Sequence, residues 1–245
     1  MFDPRRPALV ILLAALAACG AGSPPAAPRA LPGEAPSRVA EAQVGEAAAR
    51  PEIPADAPLV VFLGDSIAAG LHLSPLDAFP AVLQRELAAA GRPFRLVNAG
   101  TSGDTTAGGL RRVDWILKQR PDVLVVELGG NDGLRGQDLA AVESNLRAIA
   151  SKGRAAGARV VLLGVRIPES YGADYAGAFR AIYPRVATEL ELDFVPEFMD
   201  GVGGVPDMNL EDGLHPTAAG HARIAQNVAP VLSAVLAALP PREAR

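Results

Sequence analysis

From Leu59 onward, short apolar runs alternate with segments whose apolar residues recur at helical spacing. This alternation constrains the fold more than any other feature of the chain. The short runs are Leu59–Leu63, Phe94–Val97, a stretch within Asp122–Leu128, Arg159–Val165 and Asp193–Val195. Between them, one helical face is drawn by Phe79, Val82, Leu83 and Leu87, with Gly91 as a stop. Further faces are drawn by Leu110, Val113, Ile116 and Leu117, by Leu139, Val142, Leu146 and Ile149, and by Phe179, Ile182, Val186 and Leu190. Pro184 predicts a kink in the last of these. Ile224, Val228, Val231, Leu232 and Val235 mark a final helix. The first run is continuously apolar, as in strands buried on both faces. Five strands alternating with helices predict an α/β domain: a five-stranded parallel sheet with helices on both faces. The domain spans 59–239 and 240–245 is a tail; roughly 180 residues suit one domain.

The polar residues of interest all follow strands. Ser66 follows the first, in Gly64-Asp65-Ser66. Asn98 to Asp104 follows the second, Gly129-Gly130-Asn131-Asp132 the third, and Arg166 the fourth. Asp212-Gly213-Leu214-His215-Pro216 follows the fifth. In a parallel sheet these points share one edge, the edge where such folds bind ligands.

A serine hydroxyl needs a base, an orienter for that base, and donors for the oxyanion. Of three histidines, His215 has a carboxylate, Asp212, three residues earlier across a glycine turn. That spacing lets the carboxylate reach one ring nitrogen while the other faces outward. His221 lies inside the final helix beside Gly220 and Ala222 and is expected at the surface. His72 is expected in a loop or at a pocket rim. Asn131 offers a neutral side-chain donor. Gly100, lacking a side chain, can bring a backbone N–H close to a ligand. Asp104, Thr105 or Thr106 is expected to cap a helix, and Asp65 to be structural. Taken singly, each feature also has a plain structural reading. Ser66 can be a helix cap, Asp212-Gly213 a turn, and Asn131-Asp132-Gly133 a hairpin signal, although Leu134 to Gln137 does not alternate like a returning strand.

Taken together, these blocks resemble those of the SGNH (GDSL) hydrolases, in family order across the whole domain. Val126 to Gly136 resembles the bacterial acyl-CoA thioesterase I/lysophospholipase/arylesterase branch. Arg166-Ile167-Pro168, Tyr171-Gly172 and Ile182-Tyr183-Pro184 do so too. The resemblance implies a three-layer flavodoxin-like fold, with Ser66 as nucleophile, His215 as base and Asp212 as its orienter. It implies oxyanion donors from the Ser66 N–H, the Gly100 N–H and the Asn131 amide. Ile67 replaces the usual Leu of the first block. Leu71 to Leu73 and Gly201 to Asn209 do not align, and are expected to border the acyl pocket. The Gly-x-Ser-x-Gly elbow of α/β-hydrolases is absent, because Ala68 stands where its second glycine would be.

The segment before the domain differs in character. Arg5 and Arg6 precede an apolar run, Ala8 to Ala18, too short to span a membrane. Residues 1–18 therefore predict an export signal. Leu16-Ala17-Ala18-Cys19 resembles the lipobox of bacterial lipoproteins, which implies lipidation of Cys19, the sole cysteine. Residues 19–58, rich in Ala, Pro and Gly, predict a disordered tether. The expected place is the bacterial cell envelope, on a lipid anchor. Net charge is −4 with mixed signs and no basic patch, which argues against nucleic acid. No spacing suggests a metal, and no cofactor is expected. The expected partner is a small acyl-ester or lipid substrate. The leading expectation is an acyl ester or thioester hydrolase. An acetyl-ester hydrolase on surface carbohydrate and a non-catalytic ligand-binding lipoprotein are the alternatives.

Overall fold

The structure is a computed structural model, which describes residues 52–240. The export signal, Cys19, the tether up to residue 51 and the tail from residue 241 lie outside the described residues. Strands β1 (Leu59–Gly64), β2 (Arg95–Gly100), β3 (Val123–Glu127), β4 (Arg159–Leu163) and β5 (Asp193–Val195) form one sheet. All pairs are parallel, in the order β2-β1-β3-β4-β5. Helices α1 (Ser66–Ala69), α2 (Phe79–Ala89), α3 (Thr106–Leu117), α4 (Gly130–Leu134), α5 (Leu139–Ala155), α6 (Ala173–Glu189) and α7 (Ala218–Ala238) lie between and after the strands.

Every residue of β1 and β3 is buried, so both faces of the sheet centre are covered. Phe62 and Val125 stand in register on one face. There the Phe62 ring meets Phe79 of α2 edge-on at 5.6 Å, and α2 packs on α7. The opposite face carries Leu124, against which α5 lies so closely that a Cβ on Gly153 would stand 3.0 Å from it. α3 and α6 pack on α5. The expected helix faces are the buried ones: Phe79, Val82, Leu83 and Leu87 in α2, and Val142, Leu146 and Ile149 in α5. Pro184 lies inside α6 and Pro230 inside α7.

The expectation for His221 is overturned. It is 1% exposed, and its Nδ1 accepts the Phe79 N–H at 3.0 Å. α2 begins at Ala78, which offers no side-chain cap. A helix's first N–H groups need outside acceptors, and here α7 supplies one. Glycine and alanine beside His221 are the small neighbours of a packed histidine, not signs of a surface. Residues just before β1 are also tied to the sheet. The Ala57 and Pro58 carbonyls accept from the Arg95 side chain and backbone N–H, at 2.9 and 2.8 Å.

The strand order sets the location of the site. The chain leaves β1 toward β2 on one side and later returns to β3 on the other. The crevice beyond the carboxyl ends of β1 and β3 is the topological switch point of such a sheet. Ser66 follows β1 and Asn131 follows β3, so both open onto that crevice.

Candidate active site

Ser66 is the first residue of α1, a single turn capped by Asp65, whose Oδ1 accepts the Ile67 N–H at 2.9 Å. The turn is tight because Gly64 carries no side chain. A Cβ there would stand 2.5 Å from the Ala68 Cβ and 2.6 Å from Glu127 Oε2. Ser66 is 7% exposed, and its Oγ lies 3.0 Å from His215 Nε2. The other ring nitrogen, Nδ1, is 2.6 Å from Asp212 Oδ2.

The Asp212–His215 turn explains how three residues suffice. Asp212 Oδ1 accepts the N–H groups of both Leu214 and His215, each at 2.9 Å, and Gly213 supplies the left-handed backbone at φ 69°. One carboxylate oxygen thus shapes the turn, while the other meets the ring. The His215 N–H, then its ring, then the Leu214 N–H hold the Asp212 carboxyl well below the usual carboxylate range. The loop is tied back where the Leu210 N–H meets the His215 carbonyl at 2.7 Å.

Asn131 stands in α4, which begins after Gly129 at φ 115°. A Cβ on Gly129 would stand 2.1 Å from the Tyr183 hydroxyl, so glycine is required there on two grounds. The Asn131 amide is oriented from both ends. Its Nδ2 donates to Asp65 Oδ2 at 3.1 Å, and Arg135 Nη2 donates to its Oδ1 at 3.4 Å. One Nδ2 hydrogen remains for the crevice.

Gly100 does not suit the role expected of it. It closes β2, and its N–H already donates to Asn98 Oδ1 at 3.0 Å. Its lack of a side chain serves packing, since a Cβ would stand 2.4 Å from the Ala69 nitrogen. Gly103, three residues on, shares a partner with Asn131. Its carbonyl accepts from the same Arg135 Nη2, at 3.2 Å.

Four contributors escaped the sequence reading: Gly103, Arg112, Glu127 and Arg135. Arg112 pins the ends of β1 and β2 by donating to the Ala99 carbonyl at 2.5 Å and the Gly64 carbonyl at 2.9 Å, while its Nε meets Asp104 at 2.7 Å. Asp104 is thus an ion-pair partner, and Thr105 is the cap of α3. The signal available for Arg112 was its place nearly two turns into that helix; nothing in spacing revealed its partners. Burial pushes the Asp65 and Glu127 carboxyls up.

Beside the triad opens a cavity of about 510 Å³. Ile67, Leu134, Val165, Ile167, Phe198 and Met199 supply apolar walls, and Gly201, Gly203, Gly204 and Asn209 close one side. The Gly201 to Asn209 segment therefore borders the pocket as expected. Leu71 to Leu73 does not line it; instead the His72 ring stands edge-on to His215 at 6.1 Å. Among the described residues no group of three or more His, Cys, Asp or Glu is placed to hold a metal.

The chain is also similar to known proteins. The model of the GDSL-like lipase/acylhydrolase family matches residues 62–223. Esterase TesA of Pseudomonas aeruginosa is 45% identical over 183 residues, 74% of this chain and 91% of that protein. Thioesterase 1/protease 1/lysophospholipase L1 of Escherichia coli is 42% identical over 163 residues, 66% of this chain and 77% of that protein. The arylesterase of Vibrio mimicus is 37% identical over 171 residues, 69% of this chain and 86% of that protein. Among solved structures, TesA superposes with a TM-score of 0.70 at 46% identity, covering 72% of this chain and 98% of that one. The SGNH-hydrolase family esterase AlinE4 gives 0.63 at 37% identity, covering 76% and 99%. The chain belongs to the GDSL-like lipase/acylhydrolase family.

Proposed function

We propose that this protein hydrolyses acyl esters or thioesters through a covalent acyl-serine intermediate. The observation that carries the reading is the relay Ser66 Oγ–His215 Nε2–Asp212, at 3.0 and 2.6 Å. Ser66 Oγ attacks the acyl carbonyl carbon while Nε2 takes its proton. The tetrahedral oxyanion collapses, and the leaving alkoxide or thiolate takes the proton from Nε2. A water then repeats the attack on the acyl-serine, with Nε2 as base, and the proton returns to Oγ as the acid departs. Asp212 keeps the imidazole in the tautomer with Nδ1 protonated and steadies the imidazolium.

The oxyanion donors are the Ser66 N–H, the free Nδ2 hydrogen of Asn131 and a third N–H. That third donor is Gly103 rather than Gly100. The Gly103 N–H makes no hydrogen bond among the described residues, and Arg135 ties its peptide to Asn131. The apolar cavity of about 510 Å³ exceeds what an acetyl group needs and favours a longer acyl chain. Relatives named esterase, arylesterase and thioesterase/lysophospholipase support the same class. Outside the described residues, the leader and Cys19 support export and a lipid-anchored place in the cell envelope.

A fluorophosphonate probe tests this reading. It labels the wild-type chain at Ser66 and leaves Ser66→Ala unlabelled and inactive; an active Ser66→Ala protein overturns the mechanism. In the structure of the adduct, the phosphoryl oxygen lies about 2.7–3.1 Å from the donor nitrogens of Asn131 and Gly103. Contact with the Gly100 nitrogen instead overturns the donor assignment.

A further inference from the structure

Under the serine turn lies a buried acid that the mechanism does not use. Glu127 ends β3, opposite Gly64 in the sheet register, and is 1% exposed. A single oxygen, Oε2, accepts the Asp65 N–H and the Ala68 N–H, both at 3.1 Å. These groups flank Ser66 on either side.

The first turn of a helix has N–H groups with no partner inside the helix. In α1, the Ile67 N–H goes to Asp65 Oδ1 and the Ala68 N–H to Glu127. The Ala69 N–H closes the turn on the Asp65 carbonyl at 3.0 Å. Of these turn N–H groups, the Ser66 N–H is the one left without an acceptor among the described residues. Glu127 thus satisfies the Ala68 N–H and, by holding both sides of the turn, fixes the direction of the Ser66 N–H that remains. Its hold on the Asp65 N–H also reaches the other side of the crevice, because Asp65 Oδ2 accepts from Asn131 Nδ2. The closeness required is visible in Gly64, where any side chain would collide with Glu127 Oε2.

We propose that Glu127 is a positioning residue for the nucleophile, holding the Asp65–Ala68 turn through one acceptor oxygen so that the Ser66 hydroxyl and N–H and the Asn131 amide converge on one reacting carbonyl. The proposal rests on the ester-hydrolase reading. What the turn requires is an acceptor, not a negative charge. Burial first, and the neighbouring Asp65 carboxyl second, push the Glu127 carboxyl well above its ordinary range. Charged or neutral, the carboxyl accepts through an oxygen, which the amide of glutamine reproduces.

Three variants of the full chain test this, with a p-nitrophenyl ester as substrate. Glu127→Gln keeps the acceptor, and its kcat stays within about threefold of wild type. Glu127→Asp keeps the acid but withdraws the acceptor by one methylene. Its kcat falls about 10–100-fold, the penalty for misplacing a reacting group by around 1 Å, while KM changes less than about twofold because the apolar walls at Ile67, Leu134, Val165, Ile167, Phe198 and Met199 are unchanged. Glu127→Ala behaves like Glu127→Asp where it folds, as a thermal melt shows. The rate of fluorophosphonate labelling, which reads the attack of Ser66 and its oxyanion donors without the deacylation step, follows the same order. A Glu127→Asp protein with wild-type kcat overturns the proposal, as does Glu127→Gln falling as far as Glu127→Asp. Ser66→Ala is the control: if it retains activity, the ester-hydrolase reading fails whatever the Glu127 variants do.

Discussion

Asp212 has an exposed side chain, yet it carries two separate tasks. Oδ1 builds the turn and Oδ2 meets the His215 ring, the base of the proposed mechanism. Asp212→Asn separates them. An asparagine Oδ1 still accepts the two backbone N–H groups, so the turn survives. Its amide then presents N–H to His215 Nδ1, which forces the ring proton onto Nε2 and removes the base. We expect kcat to fall by up to about 10⁴, with little change in thermal midpoint; a smaller loss in kcat than in stability would show that Asp212 only builds the turn. For Asn131, both ends of the amide are committed, and one hydrogen remains. Asn131→Ala should lower kcat about 10²–10³-fold with KM nearly constant. Unchanged kcat would leave Gly129 to Asp132 as a mere turn.

At the scale of elements, two contacts between elements set local stability. One is the α2–α7 contact through His221. Burial lowers His221 to about 4, with His215 adding to the effect and Asp77 opposing it. The folded state favours neutral His221 more than the unfolded chain does, so this contribution is fully present above about pH 6.5 and is lost as pH falls toward 4. The loss is about 3 kcal/mol at most. In His221→Asn, Oδ1 replaces Nδ1 as acceptor for the Phe79 N–H and cannot be protonated in this range. Its thermal midpoint should be lower at pH 7, from lost ring packing, but flatter between pH 6.5 and 4. Parallel acid curves for both proteins would refute the assignment. The other contact is the β1–α1 junction at Gly64, where a Cβ collides with Ala68 and Glu127. Gly64→Ala should lose about 1–3 kcal/mol in urea unfolding. Gly177, inside α6, is the contrast, because a Cβ added there would meet nothing within 4 Å. Gly177→Ala should gain up to about 1 kcal/mol.

For the whole molecule, the apolar cavity and the segment preceding the domain lead to separate expectations. Each methylene buried in the cavity contributes about 0.8 kcal/mol, so kcat/KM should rise up to roughly fourfold per added CH₂ until the groove is full. The measurement is a series of p-nitrophenyl esters from acetate to decanoate, below micelle concentrations. A steady decline from acetate, with deacetylation of a sugar ester, would favour the carbohydrate alternative. Anchoring takes more than one acyl chain, and a lipidated Cys19 carries them. Cys19→Ser should move the protein from the membrane fraction to the soluble one. Wild-type protein found soluble and without lipid by mass spectrometry would sink the anchor.

What the sequence determined by itself is local in origin. Apolar periodicity is a property of neighbouring residues, and it sufficed for five strands, the helix faces and the parallel sheet. Asp212 and His215 lie three residues apart, so their pairing was also legible. Ser66 and Asn131 were legible because a parallel sheet delivers every strand end to one edge. The tertiary structure alone decided which N–H groups are free and which are committed. Gly100 looked available as a glycine after a strand, but Asn98 takes its N–H. His221 looked exposed between small residues, but α2 needed an acceptor 142 positions away in the chain. Glu127 carried no signal of its own within Asp122–Leu128, and only the register of β3 against β1 brings it beneath Ser66. Hydrogen-bond partners across such separations depend on packing geometry, which no spacing along the chain encodes.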